Sequence, residues 1–100
     1  MAEVIWTEPA LQQLDQVAEY IALDNPAAAR QLIRIIFDKT ERLADFPKSG
    51  RIPSELPDSV YREVVVPPCR IFYRLAEAKV LILYVQREER QLRSLMLEKR

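Results

Sequence analysis

The sequence contains no histidine, one cysteine and one glycine, and each scarcity excludes some chemistry. Without histidine there is no imidazole for acid–base catalysis and no histidine ligand for a metal. The single cysteine, Cys69, excludes an internal disulfide and a thiolate zinc site, and we interpret it as a small, partly buried residue at a bend. The single glycine, Gly50, excludes a glycine-rich phosphate loop and is expected to adopt φ > 0. We therefore expect neither a metal nor a cofactor.

Net charge and long apolar segments are also absent. Fifteen basic and fifteen acidic residues give a formal net charge of zero, whereas small nucleic-acid binders are usually visibly basic. This balance favours a protein partner. No apolar run reaches the ~18 residues of a membrane span, and no signal-peptide core is present. We expect one cytoplasmic domain over residues 1–100, with no membrane or small-molecule partner.

The C-terminal half predicts three β-strands rich in β-branched and aromatic residues. They cover about Tyr61–Val66, Arg70–Ala76 and Lys79–Gln86. Val64–Val66 and Val80–Leu83 are unbroken apolar runs, although a sheet with one wet face should alternate apolar and polar residues. We therefore expect both sheet faces to be covered, the second by a partner or by the C-terminal end of the chain.

The N-terminal half predicts a strand and two helices. The strand is Glu3–Trp6, and a helix with apolar residues at spacings of three and four follows the N-cap Thr7. Asn25 caps a second helix that extends to about Ala44, with a wide apolar face. Two such helices in succession form an antiparallel hairpin.

These elements predict an α+β fold in the order β-α-α-β-β-β, with an antiparallel sheet packed on the N-terminal helical hairpin. Ile36 and Phe37 on the second helix are expected in the core. A short C-terminal helix is predicted from Arg87 onwards.

Arginines and aromatics on the strands are the remaining candidates for function. In the strand after Pro68, Arg70, Phe72 and Arg74 point to one face of the sheet. Such arginines can bind phosphates beside stacked bases, or they can pair with carboxylates such as Glu63 and cover the sheet with their stems. Zero net charge favours the second interpretation. The candidate residues for binding a protein partner are Phe72, Arg74, Tyr84, Arg87, Arg90, Leu92, Leu95 and Met96.

Over nearly its whole length the chain resembles the RelE/ParE superfamily of bacterial toxin–antitoxin toxins. The resemblance rests on IWTEPALQQLDQVAEYI, the NPAAA helix start, LADFPKSGR, and REVVVPPCRIFYR followed by VLILYV. The helix start, the hairpin exit and VPPCRIFYR are more similar to the ParE branch, whose members inhibit DNA gyrase. The resemblance implies a toxin whose target is gyrase and which a cognate antitoxin neutralises. Because the last strands lack alternation and leave more apolar surface than the chain can hide, we expect the antitoxin to cover that surface as an amphipathic helix or an added strand. It also implies a homo-oligomer or a toxin–antitoxin hetero-oligomer.

RelE relatives instead cleave mRNA with a basic cluster and a tyrosine. Arg70 matches the arginine of their strand motif, and Arg62 falls near one of its lysines. The motif also has a second lysine, a late arginine and a late tyrosine. At the corresponding positions this chain has Val64, Glu88 and, approximately, Ser94 instead. Glutamate reverses the charge that a scissile phosphate needs. The resemblance therefore favours a non-enzymatic toxin. An mRNA endonuclease using Arg62 and Arg70, and a toxin-fold protein that retains only antitoxin binding, stay open.

Overall fold

The computed structural model describes residues 1–88, which form two α-helices and a four-stranded sheet. The elements are β1 (Glu3–Trp6), α1 (Glu8–Ala22), α2 (Pro26–Glu41) with a following 3₁₀ turn (Arg42–Ala44), β2 (Tyr61–Val66), β3 (Cys69–Ala76) and β4 (Lys79–Arg87). Within this region the predicted α+β fold and element order are confirmed. The predicted C-terminal helix, with Arg90, Leu92, Leu95 and Met96, lies outside the described residues.

The sheet has the strand order β1-β4-β3-β2. β2, β3 and β4 form the predicted antiparallel meander. β1, however, pairs with β4 in parallel, so the sheet is mixed rather than wholly antiparallel. The reason is the connection: the helical hairpin and two further strands separate β1 from β4, and such a long crossover permits a parallel pairing that a tight turn does not.

Both helices begin where the sequence predicts. The Thr7 hydroxyl accepts a hydrogen bond from the Ala10 N–H at 3.4 Å, and the Asn25 side chain accepts one from the Ala28 N–H at 3.1 Å. These caps satisfy N–H groups that lack partners in the first turn. Within residues 1–88, neither helix combines the length and apolarity of a membrane span.

The main core lies between the helical hairpin and one sheet face, here called the inner face. It includes Leu14 of α1 and Ile36 of α2 with Ile71 and Ile82 of the sheet, all at most 3% exposed. Ile36 is completely buried, as predicted. Phe37 is half-buried, and its ring centroid lies 5.0 Å from that of Trp6. Both helices therefore pack on the inner face of the sheet, and Phe37 extends this contact to the end of β1.

A β-bulge explains part of the unbroken apolar run in β4. Phe72 pairs with Tyr84 but Tyr73 pairs with Ile82, which leaves Leu83 as an extra residue. An extra residue switches the faces to which the following side chains point. The β4 residues in the main core are Val80, Ile82 and Val85, and those in the cluster on the other face are Leu81, Leu83 and Tyr84. The missing alternation therefore reflects a bulge as well as two covered faces.

The opposite sheet face, here called the outer face, carries a smaller apolar cluster. Phe72 and Leu83 are at most 2% exposed there. Leu56 packs against them from residues 54–59, here called the strap. Part of the cover that the sequence analysis assigned to a partner or the C-terminal end thus comes from the chain's own loop before β2.

The expectation of φ > 0 at Gly50 is wrong, because no described glycine has a positive φ. Glycine is needed there for close approach instead. A Cβ at this position would lie 2.5 Å from the Tyr73 hydroxyl and 2.9 Å from the Glu63 carbonyl oxygen. Both distances are shorter than real Cβ contacts allow. The absence of a side chain therefore lets the loop after α2 pass directly over β2 and β3.

Candidate functional site

Arg70 lies at the centre of a buried ion-pair cluster on the outer face. Its Nη1 and Nη2 lie 2.7 and 2.8 Å from the two carboxylate oxygens of Glu55 in the strap. Its Nε and Nη2 lie 3.1 and 2.8 Å from those of Glu63 on β2. Two carboxylates therefore hold the guanidinium in two bidentate forks. The expected pairing of Arg70 with a carboxylate such as Glu63 is confirmed.

The charges of this cluster balance one another, and its central residues are buried. The Arg70 side chain is 9% exposed and that of Glu63 is 1% exposed. The hydrogen bonds that Arg70 donates to Glu55, and to a lesser extent to Glu63, raise the pKa of Arg70, although burial opposes the shift. Arg51 Nη2 lies 3.3 Å from Glu63, so two arginines balance two glutamates. A phosphate at Arg70 would have to displace a carboxylate.

Arg62, the other candidate for RNA binding, points away from Arg70. It pairs in register with Tyr73, which is in the main core of the inner face. Its Nη1 donates to the carbonyl oxygens of Lys48 and Gly50 at 3.1 and 2.8 Å. Arg62 therefore lies on the inner face, whereas Arg70, three residues before Tyr73 in β3, lies on the outer face. The structure does not bring the two side chains together.

The predicted partner-binding residues divide between the two faces. Phe72 and Tyr84 contact each other on the outer face with ring centroids 6.4 Å apart, but Phe72 is fully buried. Arg74, half-buried, lies in register between Tyr61 and Leu81. Arg87 is exposed, and its guanidinium carbon lies 5.4 Å from the centroid of the Tyr20 ring of α1. Partner binding by these residues stays a prediction.

Tyr73 is a structural residue that the sequence analysis placed only as part of β3. Its hydroxyl accepts a hydrogen bond from the Gly50 N–H at 2.9 Å and donates one to the Pro47 carbonyl oxygen at 2.8 Å. Burial raises its pKa, while the Gly50 N–H and the charge of Arg62 oppose the shift. Tyr73 thus fixes the loop after α2 to the middle of the sheet.

A basic cleft beside β2 is the second feature that the sequence analysis missed. Its volume is about 550 Å³, and it opens between the end of α2 and the free edge of β2. We call it the edge cleft. Its lining residues are Lys39, Arg42, Leu43, Phe46, Ser49, Gly50, Arg51, Glu63, Val64 and Val65. They come from three segments of the chain, so no local motif marks the cleft.

Two other expectations concern metal binding and cysteine. Within residues 1–88, no three acidic or sulfur-containing side chains converge as metal ligands would. Cys69 is the first residue of β3 and is completely buried rather than partly buried. A buried cysteine without a histidine partner is typical of packing rather than catalysis.

Comparison with known proteins gives one consistent result. Residues 4–92 match the family described as the ParE toxin of the type II toxin-antitoxin system, parDE. Toxin RelE2 of Caulobacter vibrioides is 34% identical over 91 residues, covering 90% of this chain and 99% of that protein. The putative toxin Y4kP of Sinorhizobium fredii is 36% identical over 88 residues, covering 86% and 88%. A solved structure described as the chromosomal ParDE TA system from P. aeruginosa has a TM-score of 0.72, 26% identity, and coverage of 89% of this chain and 98% of its own.

Proposed function

The chain belongs to the ParE toxin family of type II toxin–antitoxin systems, and from that premise we propose that it inhibits DNA gyrase by binding it in the cytoplasm. It is a toxin without enzymatic activity, and a cognate antitoxin neutralises it. The antitoxin partner is supported by the similarity to a ParDE structure. Gyrase is proposed as the target because the chain resembles the ParE branch, whose members inhibit DNA gyrase.

The main support for a toxin without enzymatic activity is the pair of bidentate ion pairs that Arg70 forms with Glu55 and Glu63. An arginine that stabilises a scissile phosphate must present its N–H groups to the substrate. Here Glu55 and Glu63 occupy them. Withdrawing Arg70 would leave Glu63 buried and deprived of its principal partner, and breaking a buried pair costs about 3–5 kcal/mol. Arg70 is therefore held in a structural role.

The remaining positions of the nuclease pattern support the same proposal. Arg62 points to the opposite face of the sheet from Arg70. The residue in place of the late arginine is Glu88, which is exposed directly after β4. The chain has no histidine as an alternative acid or base, and its net charge is zero. These residues supply no concentrated positive charge for an mRNA backbone.

An mRNA endonuclease is the second candidate, and a specific observation favours it. One close relative is named Toxin RelE2, and Arg70 occupies the arginine position of the RelE strand motif. In this alternative the strap would move, so that Glu55 releases Arg70 to the RNA. The two candidates therefore differ in whether Arg70 is free during activity.

A supercoiling assay with the purified protein and DNA gyrase tests the proposal, with an mRNA cleavage assay run in parallel. We expect lost supercoiling or trapped DNA cleavage, with the RNA left intact, and recovery when the antitoxin is added. Codon-specific mRNA cleavage that disappears in Arg70→Ala, with gyrase unaffected, would establish the endonuclease instead. Antitoxin binding with neither effect would leave only the antitoxin-binding role.

The Arg70→Ala variant needs a control, because it leaves two carboxylates facing each other. The matched double variant Arg70→Met with Glu63→Gln removes both charges and retains similar side-chain volumes. Thermal melting establishes that each variant is folded before it is assayed. If gyrase is the target, the folded double variant should retain gyrase inhibition, because Arg70 is buried and held by Glu55 and Glu63 rather than presented to a partner.

A further inference from the structure

We propose that the edge cleft is a binding site for a nucleotide, a ligand that joins a flat aromatic base to phosphate groups. The inference goes beyond the proposed function and does not depend on it. Four properties of the cleft support it: its size, its concentrated positive charge, an exposed aromatic ring and open backbone groups on β2.

The size of the cleft suits a small ligand. Its volume of about 550 Å³ lies within the range of about 300–1,000 Å³ that is usual for small-molecule sites. The end of α2 with its 3₁₀ turn, the loop through Gly50 and the strand β2 all contribute to the lining. A ligand in the cleft is therefore in reach of three segments of the chain.

The charge in the cleft selects an anion. Lys39, Arg42 and Arg51 line it and are all exposed, and the Arg51 side chain is 70% exposed. Among the described lining residues the one carboxylate is Glu63, which Arg70 and Arg51 already bind. A chain of zero net charge thus has a local excess of positive charge here. Guanidinium and ammonium groups are the usual protein partners of phosphate.

Phe46 selects an anion that carries a flat aromatic group. Its side chain lines the cleft and is 65% exposed, whereas Leu43, three residues earlier, is buried. Packing in the core therefore does not account for the position of the Phe46 ring. Nucleic-acid bases stack on such rings whatever their identity, because every base has a π-face. An aromatic ring beside three cations matches a base joined to phosphates.

The open side of β2 adds hydrogen-bonding groups at Val65. Glu63 directs its N–H and C=O away from β3, where they bond to Arg51 at 2.7 and 3.1 Å. Residues two apart in a strand direct these groups to the same side, so those of Val65 also face the cleft. One donor and one acceptor side by side are what the edge of a base needs.

Other ligands satisfy fewer of these features. Inorganic phosphate would use the cations but neither Phe46 nor Val65. A second copy of the chain, paired β2 to β2, would bring two sets of cations together, and like charges repel across an interface. The terminal nucleotide of a single-stranded nucleic acid carries the same base and phosphate as a free nucleotide. It is therefore a second source of the same chemistry.

ATP, titrated into ¹⁵N-labelled protein, is the probe for the test. We expect the amide signals of Phe46, Ser49 and Val65 to shift, and added salt to weaken binding. Adenosine lacks the phosphates and tripolyphosphate lacks the base, so each should bind about tenfold more weakly than ATP. No shifts at millimolar ATP, shifts confined to the outer face, or equal binding of either fragment would overturn the inference.

Competition identifies the source of the nucleotide. A short single strand that ends in a phosphate is compared with the same strand without that phosphate, each added to the complex with ATP. Displacement by the phosphorylated strand alone supports the site and assigns it to the end of a nucleic acid. Displacement by neither supports the site and assigns it to a free nucleotide. Equal displacement by both would mean that the cleft binds backbone charge alone, which would overturn the inference.

Matched variants locate the binding to the cleft. Lys39→Glu with Arg42→Glu should weaken ATP about tenfold, whereas the same reversal at two other exposed cations, Arg30→Glu with Lys79→Glu, should not. Phe46→Ala should weaken ATP but not tripolyphosphate, and Phe46→Tyr, which keeps a ring, should retain ATP affinity. Thermal melting establishes that each variant is folded. Unchanged ATP affinity in the folded Lys39 and Arg42 double variant, or in Phe46→Ala, contradicts the inference. The titrations contain no gyrase, so this inference and the gyrase proposal fail separately.

Discussion

At the scale of single residues, Gly50 and Tyr73 act as a pair. The Tyr73 hydroxyl occupies the space that a Cβ of Gly50 would need. It also hydrogen-bonds the Gly50 N–H and the Pro47 carbonyl oxygen, so two backbone groups of the loop have a buried partner. A buried backbone group without a partner is costly. One phenol therefore determines the path of the chain between α2 and the strap.

Tyr73 should make stability depend on pH in the alkaline range. Burial raises its pKa above the ordinary value of 10.0, so the folded state favours the neutral phenol. That contribution is complete below the ordinary pKa and is lost as the pH rises through the pKa of the folded state. Urea unfolding between about pH 9 and about pH 11 should show a steeper loss of free energy in the natural protein than in Tyr73→Phe.

The phenylalanine variant is itself the control, since every other titrating group is common to both proteins. Below pH 9 it should already be less stable by about 1–3 kcal/mol, because Gly50 and Pro47 lose their partner. Parallel pH profiles for the two proteins would mean that Tyr73 ionises as freely in the folded state as in the unfolded state.

At the scale of elements, α2 has a buried side and an exposed side. Ile36 is completely buried in the main core, whereas Ile35, the preceding residue, is 36% exposed. One turn later the hydroxyl of Thr40, also buried, donates to the Ile36 carbonyl oxygen at 2.9 Å. The inner side of α2 therefore combines apolar packing with a satisfied polar group, which anchors the hairpin to the sheet.

Shortening Ile36 tests this packing. Ile36→Ala should lower the free energy of unfolding by about 2–5 kcal/mol, because it removes buried methylenes and leaves a cavity. The adjacent Ile35→Ala is the matched control and should cost less than about 1 kcal/mol. Chemical denaturation of both variants provides the comparison. Equal losses, or a loss near zero for Ile36, would place the buried side of α2 elsewhere.

At the scale of the whole molecule, one apolar core joins both helices to the sheet. Residues of α1, α2, β2, β3 and β4 belong to the same cluster, and Val4 and Trp6 of β1 pack against its margin. Small domains with a single shared core generally unfold in one transition. The smaller cluster on the outer face shares β3 and β4 with the main core, so it has no separate scaffold.

Residues 1–88 should therefore unfold cooperatively. Trp6, the one tryptophan, reports on the contact between β1 and α2, while far-ultraviolet circular dichroism reports on the helices. The two signals should give the same midpoint in urea, with a slope of about 1–3 kcal/mol per molar. A fluorescence change that precedes the loss of helicity would instead mean that β1 detaches from the sheet on its own.

Local signals in the sequence were sufficient for most of the fold. The caps at Thr7 and Asn25, the apolar spacing of the helices and the β-branched runs all depend on residues close together in the chain. They predicted α1, α2, the four described strands and the burial of Ile36, although the last turn of the predicted second helix, Arg42–Ala44, is a 3₁₀ turn. They also placed Arg70, Phe72 and Arg74 on one face of β3, because alternation is a property of the strand itself.

The tertiary structure decided what depends on residues far apart in the chain. Glu55 and Arg70 are 15 positions apart, and Pro47 and Tyr73 are 26 apart. Whether they meet depends on the path of the loop before β2 and on the strand register, which the bulge at Leu83 changes. Local periodicity contains no information about either. The sequence alone therefore determined the elements and the family resemblance, whereas only the folded chain decided that Arg70 is enclosed by carboxylates and that a basic cleft opens beside β2.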